Sequence, residues 1–156
     1  MHSQGVLHRD LSAANIFLDF EACIVMGDLG LAKRVAASDA NDELATTICG
    51  TPDFFSPELI CGKPYGRGSD AWAVGVILFN LLTLERPFQA SVMLKLAQQI
   101  VDGKPSEAAQ RKLELARRNY PPELCALASR DGLLNPDASR RTTLERVLEL
   151  YPLEPC

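Results

Sequence analysis

The sequence predicts an α+β fold, mainly helical, built as one domain. Three observations lead there. Short apolar runs separated by polar turns fill the first thirty residues. An apolar stretch from Ser69 onward recurs at helical spacing, and the remaining half reads as further helices. A length of 156 residues suits one domain. A composition of 47% apolar and 23% charged residues is ordinary for a chain that builds a core.

Taken in order, Gly5-Val6-Leu7, Asn15-Ile16-Phe17-Leu18 and Cys23-Ile24-Val25-Met26 read as short strands joined by loops. Residues 34–53 are polar, and Ser38 to Glu43 show no period, so a surface loop is expected there, of a length that is often functional. Ser69 or Asp70 can cap the next helix. Trp72, Val76, Phe79 and Leu82 follow at 3–4 spacing with apolar residues on nearly every other side, the pattern of a buried helix. Helices are also expected over 92–101, 106–118, 124–133 and 143–150, the second of them capped by Ser106 and ended by Pro121-Pro122.

A net charge of −4 and a pI near 5.2 speak against nucleic acid and anionic membranes as partners. The longest apolar stretch, residues 71–84, is broken by Asn80 and Thr83 and falls short of the ~20 residues a membrane span needs. Cys23, Cys49, Cys61, Cys125 and Cys156 stand singly, and His2 and His8 are the only histidines, which excludes a structural zinc site. Each cysteine reads as a small buried hydrophobe. Their odd number without a signal peptide leads us to expect reduced thiols and a cytoplasmic or nuclear location.

His8-Arg9-Asp10-Leu11-Ser12-Ala13-Ala14-Asn15 matches the H-R-D-L-x-x-x-N catalytic-loop string of protein kinases. Asp28-Leu29-Gly30 then stands in the place of the metal-binding Asp-Phe-Gly turn. Gly50-Thr51-Pro52 and Ser56-Pro57-Glu58 follow, the latter in the place of Ala-Pro-Glu. Asp70-Ala71-Trp72-Ala73-Val74-Gly75 is similar to the start of the family's central helix, and residues 133–141 to its late Leu-Leu-x-x-Asp-Pro-x-x-Arg signature. The chain thus resembles the large C-terminal lobe of a eukaryotic protein kinase over residues 1–150, with 151–156 a tail. Within kinases it is most similar to the NIMA-related (NEK) family, whose phrasing is followed by Asn15 to Leu18, Gly27 to Lys33, Glu43-Leu44-Ala45, Lys63-Pro64-Tyr65 and Thr83-Leu84-Glu85.

The resemblance implies a protein-kinase-like fold and a serine/threonine kinase that moves the γ-phosphate of ATP to protein substrates in the intact parent. Phosphoryl transfer asks a protein mainly for positioning and electrostatics. Asp10 is then the carboxylate beside the attacking hydroxyl. Asn15 and Asp28 are the oxygen ligands for Mg²⁺, a hard cation, and Phe17 lies beneath the adenine of ATP. Glu58 is expected to pair with Arg141, and Asp70 to accept from the catalytic-loop backbone. His8 and Leu29 are expected to stack, and Thr51 to hydrogen-bond Asp10. Arg9 is the residue that clamps a phosphorylated activation segment, with Thr47 the first candidate acceptor, Thr46 the second and Ser38 the third. Leu31 is expected to favour serine over threonine. Lys112, Arg117, Arg118 and Arg140 read as solvated helix faces. The family also allows a cytoskeletal association.

Several positions depart from the pattern. Serine/threonine kinases normally carry Lys where Ser12 stands, and a hydroxyl brings no charge to the transferring phosphate. This favours an alternative, a non-catalytic kinase-like binding module. Asp53 and Phe54 replace two tyrosines usual in NEK kinases, and residues 106–118 look like an insertion. Nothing ahead of Met1 corresponds to a Gly-rich loop or its lysine, so the small lobe and most of the helix before the catalytic loop are expected to be missing, as in a fragment. Apolar surface on the Trp72 helix is expected to be exposed as a result.

Overall fold

The computed structural model describes residues 1–34 and 51–152. Two antiparallel two-stranded sheets form the amino-terminal part. Strand β1 (Val6–Leu7) pairs with β4 (Lys33–Arg34), Val6 opposite Arg34. Strand β2 (Ile16–Leu18) pairs with β3 (Ile24–Met26), Phe17 opposite Val25. The turn of this hairpin is held by Asp19, whose Oδ1 accepts from the amides of Glu21 and Cys23, each at 2.9 Å. Short 3-10 turns cover His2–Gln4, Ala13–Asn15, Leu29–Leu31 and Pro52–Phe54. Among the described residues six helices follow: α1 (Pro57–Ile60), α2 (Arg67–Thr83), α3 (Met93–Asp102), α4 (Glu107–Ala116), α5 (Pro122–Leu127) and α6 (Leu144–Leu150).

Helix α2 is the axis of the core. Its Trp72, Val76 and Phe79 pack with Phe88, Ile100, Leu113, Cys125 and Leu134 from the helices and loops around it. Helix α4, the expected insertion, lays Ala109, Leu113 and Ala116 on this core. Ser106 caps it by accepting the amide of Ala109 at 3.2 Å. Thr143 caps α6 in the same way through Arg146. A second cluster joins Leu7 of β1, Leu59 of α1 and Tyr65, with Phe55 against it, and so fastens the strand-rich part to the helices.

Three expectations need correction. Helix α2 begins at Arg67 with Gly66 as its N-cap; Ser69 sits at the third helical position, where its Oγ accepts the Gly66 amide at 3.4 Å, and Asp70 spends its carboxylate on the His8 and Arg9 amides. Helix α5 stops at Leu127, where the chain turns back so that the amide of Leu133 bonds the carbonyl of Leu127 at 2.8 Å and Leu133 and Leu134 both enter the core. Trp72 is fully buried, stacked on Phe88 at 5.4 Å with the Arg141 guanidinium 5.0 Å from its ring centroid. Apolar surface is exposed on α2 at Leu81, and also on the β2–β3 hairpin and the turn after it, at Phe17, Leu18, Phe20, Ile24 and Leu29. Cys125 is buried as expected of a small hydrophobe, but Cys61 is exposed. No helix among the described residues is long and apolar enough to cross a membrane.

Candidate active site

The loop from His8 to Asn15 is held from below by one buried carboxylate. Asp70, in the first turn of α2, accepts the amide of His8 on Oδ2 at 3.0 Å and the amide of Arg9 on Oδ1 at 3.1 Å. Two side chains complete its shell: His2 Nε2 lies 2.7 Å from Oδ2, and the Tyr65 hydroxyl donates to Oδ1 at 2.5 Å. Burial by itself would raise the pKa of Asp70, but these four donors outweigh it and hold the carboxyl below its ordinary value. Burial, followed by the charge of Asp70, pushes the Tyr65 phenol well above its ordinary value, so it stays a donor. Arg9 sits at φ 71°, a left-handed conformation that non-glycine residues seldom adopt. That backbone reversal sets the direction of the next residue, Asp10.

Asp10 and Asn15 face each other across the loop. Asn15 Nδ2 donates to the Asp10 carbonyl at 2.9 Å and approaches its Oδ2 at 3.5 Å. Asp10 Oδ1 is buried without a hydrogen-bond partner. With the nitrogen of the Asn15 amide used on Asp10, its oxygen is the remaining acceptor of the side chain. The Asn15 backbone carbonyl accepts from Gly27 at 2.8 Å, joining the loop to the end of β3. The Phe17 ring lies directly against this backbone, since a Cβ on Gly27 would stand 2.6 Å from Phe17 Cε2. Asp28 follows at φ 52°, with one carboxylate oxygen accepting from Gly30 at 3.2 Å.

The donor set fits Mg²⁺. Asn15 offers an amide oxygen and Asp28 a carboxylate oxygen, few enough ligands for a cation that keeps waters and phosphate oxygens. No group of three or more histidine, cysteine or acidic side chains suited to a metal occurs among the described residues, so a site closed by the protein alone is not built here.

Ser12 is buried and precedes the turn that carries Asn15. Phe17 is half exposed on the hairpin. His8 is buried, with Nε2 3.2 Å from the Gly27 carbonyl, whereas Leu29 is 56% exposed, so the two do not form a buried stack. Thr51 lines a small cavity with Arg9, Asp10, Leu11 and Tyr65. The expected Thr51–Asp10 hydrogen bond is not made. Thr51 is exposed at the entry to the Pro52–Phe54 turn, and Asp10 Oδ1 has no partner. Thr47, Thr46 and Ser38 lie outside the described residues.

Glu58 and Arg141 form a two-pronged pair at 2.7 and 3.0 Å. Arg141 also donates to the carbonyls of Gly68 at 2.7 Å and Asn135 at 2.9 Å, and Ser69 donates to Glu58 at 2.7 Å. Burial raises the Glu58 carboxyl, but the hydrogen bond and charge of Arg141 prevail and hold it below its ordinary value. Asp53 pairs with Arg86 at 2.6 Å, a local reason for an acid at that position. The motif reading gave His2, Tyr65, Ser69 and Arg86 no place in the site. His2 and Arg86 meet partners far along the chain, and Tyr65 and Ser69 meet Asp70 and Glu58 through the turn of the chain, contacts that spacing alone does not carry.

Compared with known proteins, the sequence matches the family described as Protein kinase domain over residues 1–151. The chain belongs to the protein kinase family. Its relatives include serine/threonine-protein kinase Nek9 of Mus musculus, 39% identical over 150 residues, which is 96% of this chain and 14% of Nek9. Serine/threonine-protein kinase Nek8 of Danio rerio is 37% identical over 149 residues, 95% of this chain and 19% of Nek8. This kinase chain is also 34% identical over 149 residues to the inactive serine/threonine-protein kinase PLK5 of Mus musculus, covering 96% of this chain and 23% of that protein. It therefore spans less than a quarter of the length of each of these relatives.

Proposed function

We propose that this chain is the large lobe of a NEK-like serine/threonine protein kinase that transfers the γ-phosphate of ATP to protein substrates. The observation that carries the reading is Asp10: a carboxylate oxygen buried without a partner, beside an asparagine that donates its amide nitrogen to Asp10. In this reading Asp10 accepts the proton of the attacking serine or threonine hydroxyl and aligns it. Asn15 and Asp28 hold Mg²⁺, Phe17 lies under the adenine, and Thr51 shapes the cleft for a short aliphatic hydroxyl. Bound Mg-ATP supplies the phosphoryl group and the cations that balance its charge. Glu58, Asp70 and Arg141 act as structural supports, and Arg9 receives a phosphate on Thr47. The exposed hairpin residues Phe17, Leu18 and Ile24 are the face on which the parent's small lobe rests, and the protein works in the cytoplasm.

The test joins the chain to the Nek9 small lobe and compares it with Asp10→Ala and Asp28→Ala in a phosphate-transfer assay. Each variant is expected to lose at least about a hundredfold in kcat. Unchanged activity in either removes that residue's role. A second reading, a non-catalytic binding module, draws on Ser12, which is buried and brings no charge, and on the similarity to inactive PLK5. Restoring lysine decides between them: Ser12→Lys creating activity in an inert parent supports the module.

A further inference from the structure

Asp70 is tied to the catalytic loop by two backbone amides, and a phenol shares one of its oxygens. Tyr65 Oη stands 2.5 Å from Oδ1, the same atom that accepts the Arg9 amide at 3.1 Å. The Tyr65 ring is almost wholly buried, packed with Leu7, Leu59 and Phe55, and it lines the small cavity that also holds Arg9, Asp10 and Thr51. One side chain therefore touches both the segment leading from Thr51 to Leu59 and the anchor of the loop that carries Asp10.

We propose that Tyr65 is a positioning residue that couples the seating of the 51–59 segment to the aim of Asp10. The physical steps are short. Arg9 holds a left-handed backbone, which an L residue keeps only when its surroundings impose it. One restraint at Arg9 is its amide on Asp70 Oδ1. The phenol fixes the plane of that carboxylate, and the packing of Phe55 and Leu59 fixes the phenol. Without the hydroxyl, the carboxylate keeps His2 and the two loop amides but loses the donor that shares Oδ1 with Arg9, so the Arg9 amide is held less tightly and the aim of Asp10 loosens. Displacing Phe55 or Leu59 shifts the ring and weakens that hydrogen bond without removing it.

The inference rests on the phosphoryl-transfer reading, and its test keeps the two apart. Tyr65→Phe removes one oxygen and preserves the packed ring. Amide hydrogen exchange, followed by NMR on the chain itself, is expected to quicken about tenfold at His8 and Arg9 while the centre of α2 stays unchanged. In the chain joined to a small lobe, kcat is expected to fall about tenfold to a hundredfold with KM for ATP unchanged. Leu59→Val loosens the same cluster but leaves the hydroxyl, and is expected to show a smaller effect at both readouts for the same loss of stability. Unchanged exchange at His8 and Arg9 in Tyr65→Phe overturns the proposal, as does a packing variant that matches it in full. A wild-type chain without transfer activity overturns the phosphoryl-transfer reading instead, and the exchange experiment then decides on Tyr65 alone.

Discussion

At the scale of single residues the molecule is held by two saturated carboxylates. Glu58 meets a guanidinium on both oxygens and a serine hydroxyl on one, while Arg141 uses its remaining donors on the carbonyls of Gly68 and Asn135. Removing one partner strands the other in a buried place, so Glu58→Gln is expected to cost about 3–5 kcal/mol in urea denaturation. Arg141→Lys is expected to come close, because an ammonium cannot match the planar fork. The acid side of the stability profile follows from the same contacts. Both Glu58 and Asp70 have carboxyls held below their ordinary values by hydrogen bonds that outweigh burial. Groups with lowered folded values contribute stability that is full above the unfolded carboxylate range and is lost as protons bind the folded form. The melting temperature is therefore expected to stay level down to about pH 5 and to fall below about pH 4. Glu58→Gln should flatten part of that fall in a calorimetric pH series, and a flat wild-type profile would contradict the assignment. Both acids were legible as members of motifs. Their hydroxyl partners, Ser69 and Tyr65, were not, since a hydroxyl in a sequence does not announce its acceptor.

At the scale of elements, the core helix was the clearest feature in the sequence and α5 the least. An apolar run at 3–4 spacing has one stable home, a core surrounded by other elements, and α2 occupies it. Its packing is close enough to reverse an ordinary helix preference. A Cβ on Gly75 would stand 2.7 Å from Leu133 Cβ and 3.2 Å from the Leu133 carbonyl carbon. Alanine in a helix interior gains about 1 kcal/mol over glycine, but backbone on the far side cannot yield cheaply, and overpacking costs about 1–3 kcal/mol. Gly75→Ala is expected to lower the urea midpoint, and a raised midpoint would show that the 133–134 turn gives way. The turn that presses on Gly75 is the same one that ends α5 early. Nothing in the apolar spacing of 124–133 distinguishes a continuing helix from a chain that reverses to bury two neighbouring leucines, because that choice depends on the surface of α2. Strand β4 was missed for a similar reason: two basic residues carry no strand signal, and only pairing with Val6 and Leu7 makes them one.

At the scale of the whole molecule, burial is uneven. The helical part encloses a continuous core, while the β2–β3 hairpin leaves Phe17, Leu18, Phe20, Ile24 and Val25 open. A nucleotide lying on Phe17 would be covered on one side only by the described residues, so calorimetry on this chain alone is expected to find Mg-ATP binding weaker than about 100 μM, against tighter binding when a small lobe is joined to it. A micromolar constant for the chain alone would refute that division of labour. The sequence by itself determined the family, the order of the motifs, the buried helix and the candidate roles of Asp10, Asn15 and Asp28. These are properties of residue type and spacing, which local chemistry reads directly. Tertiary structure alone decided that Trp72 is covered by Phe88 and Arg141, that the β2–β3 hairpin leaves apolar residues open, that Thr51 does not reach Asp10, and that Tyr65 shares the carboxylate under the His8–Asn15 loop. Each of these is set by how packed surfaces fit one another in three dimensions.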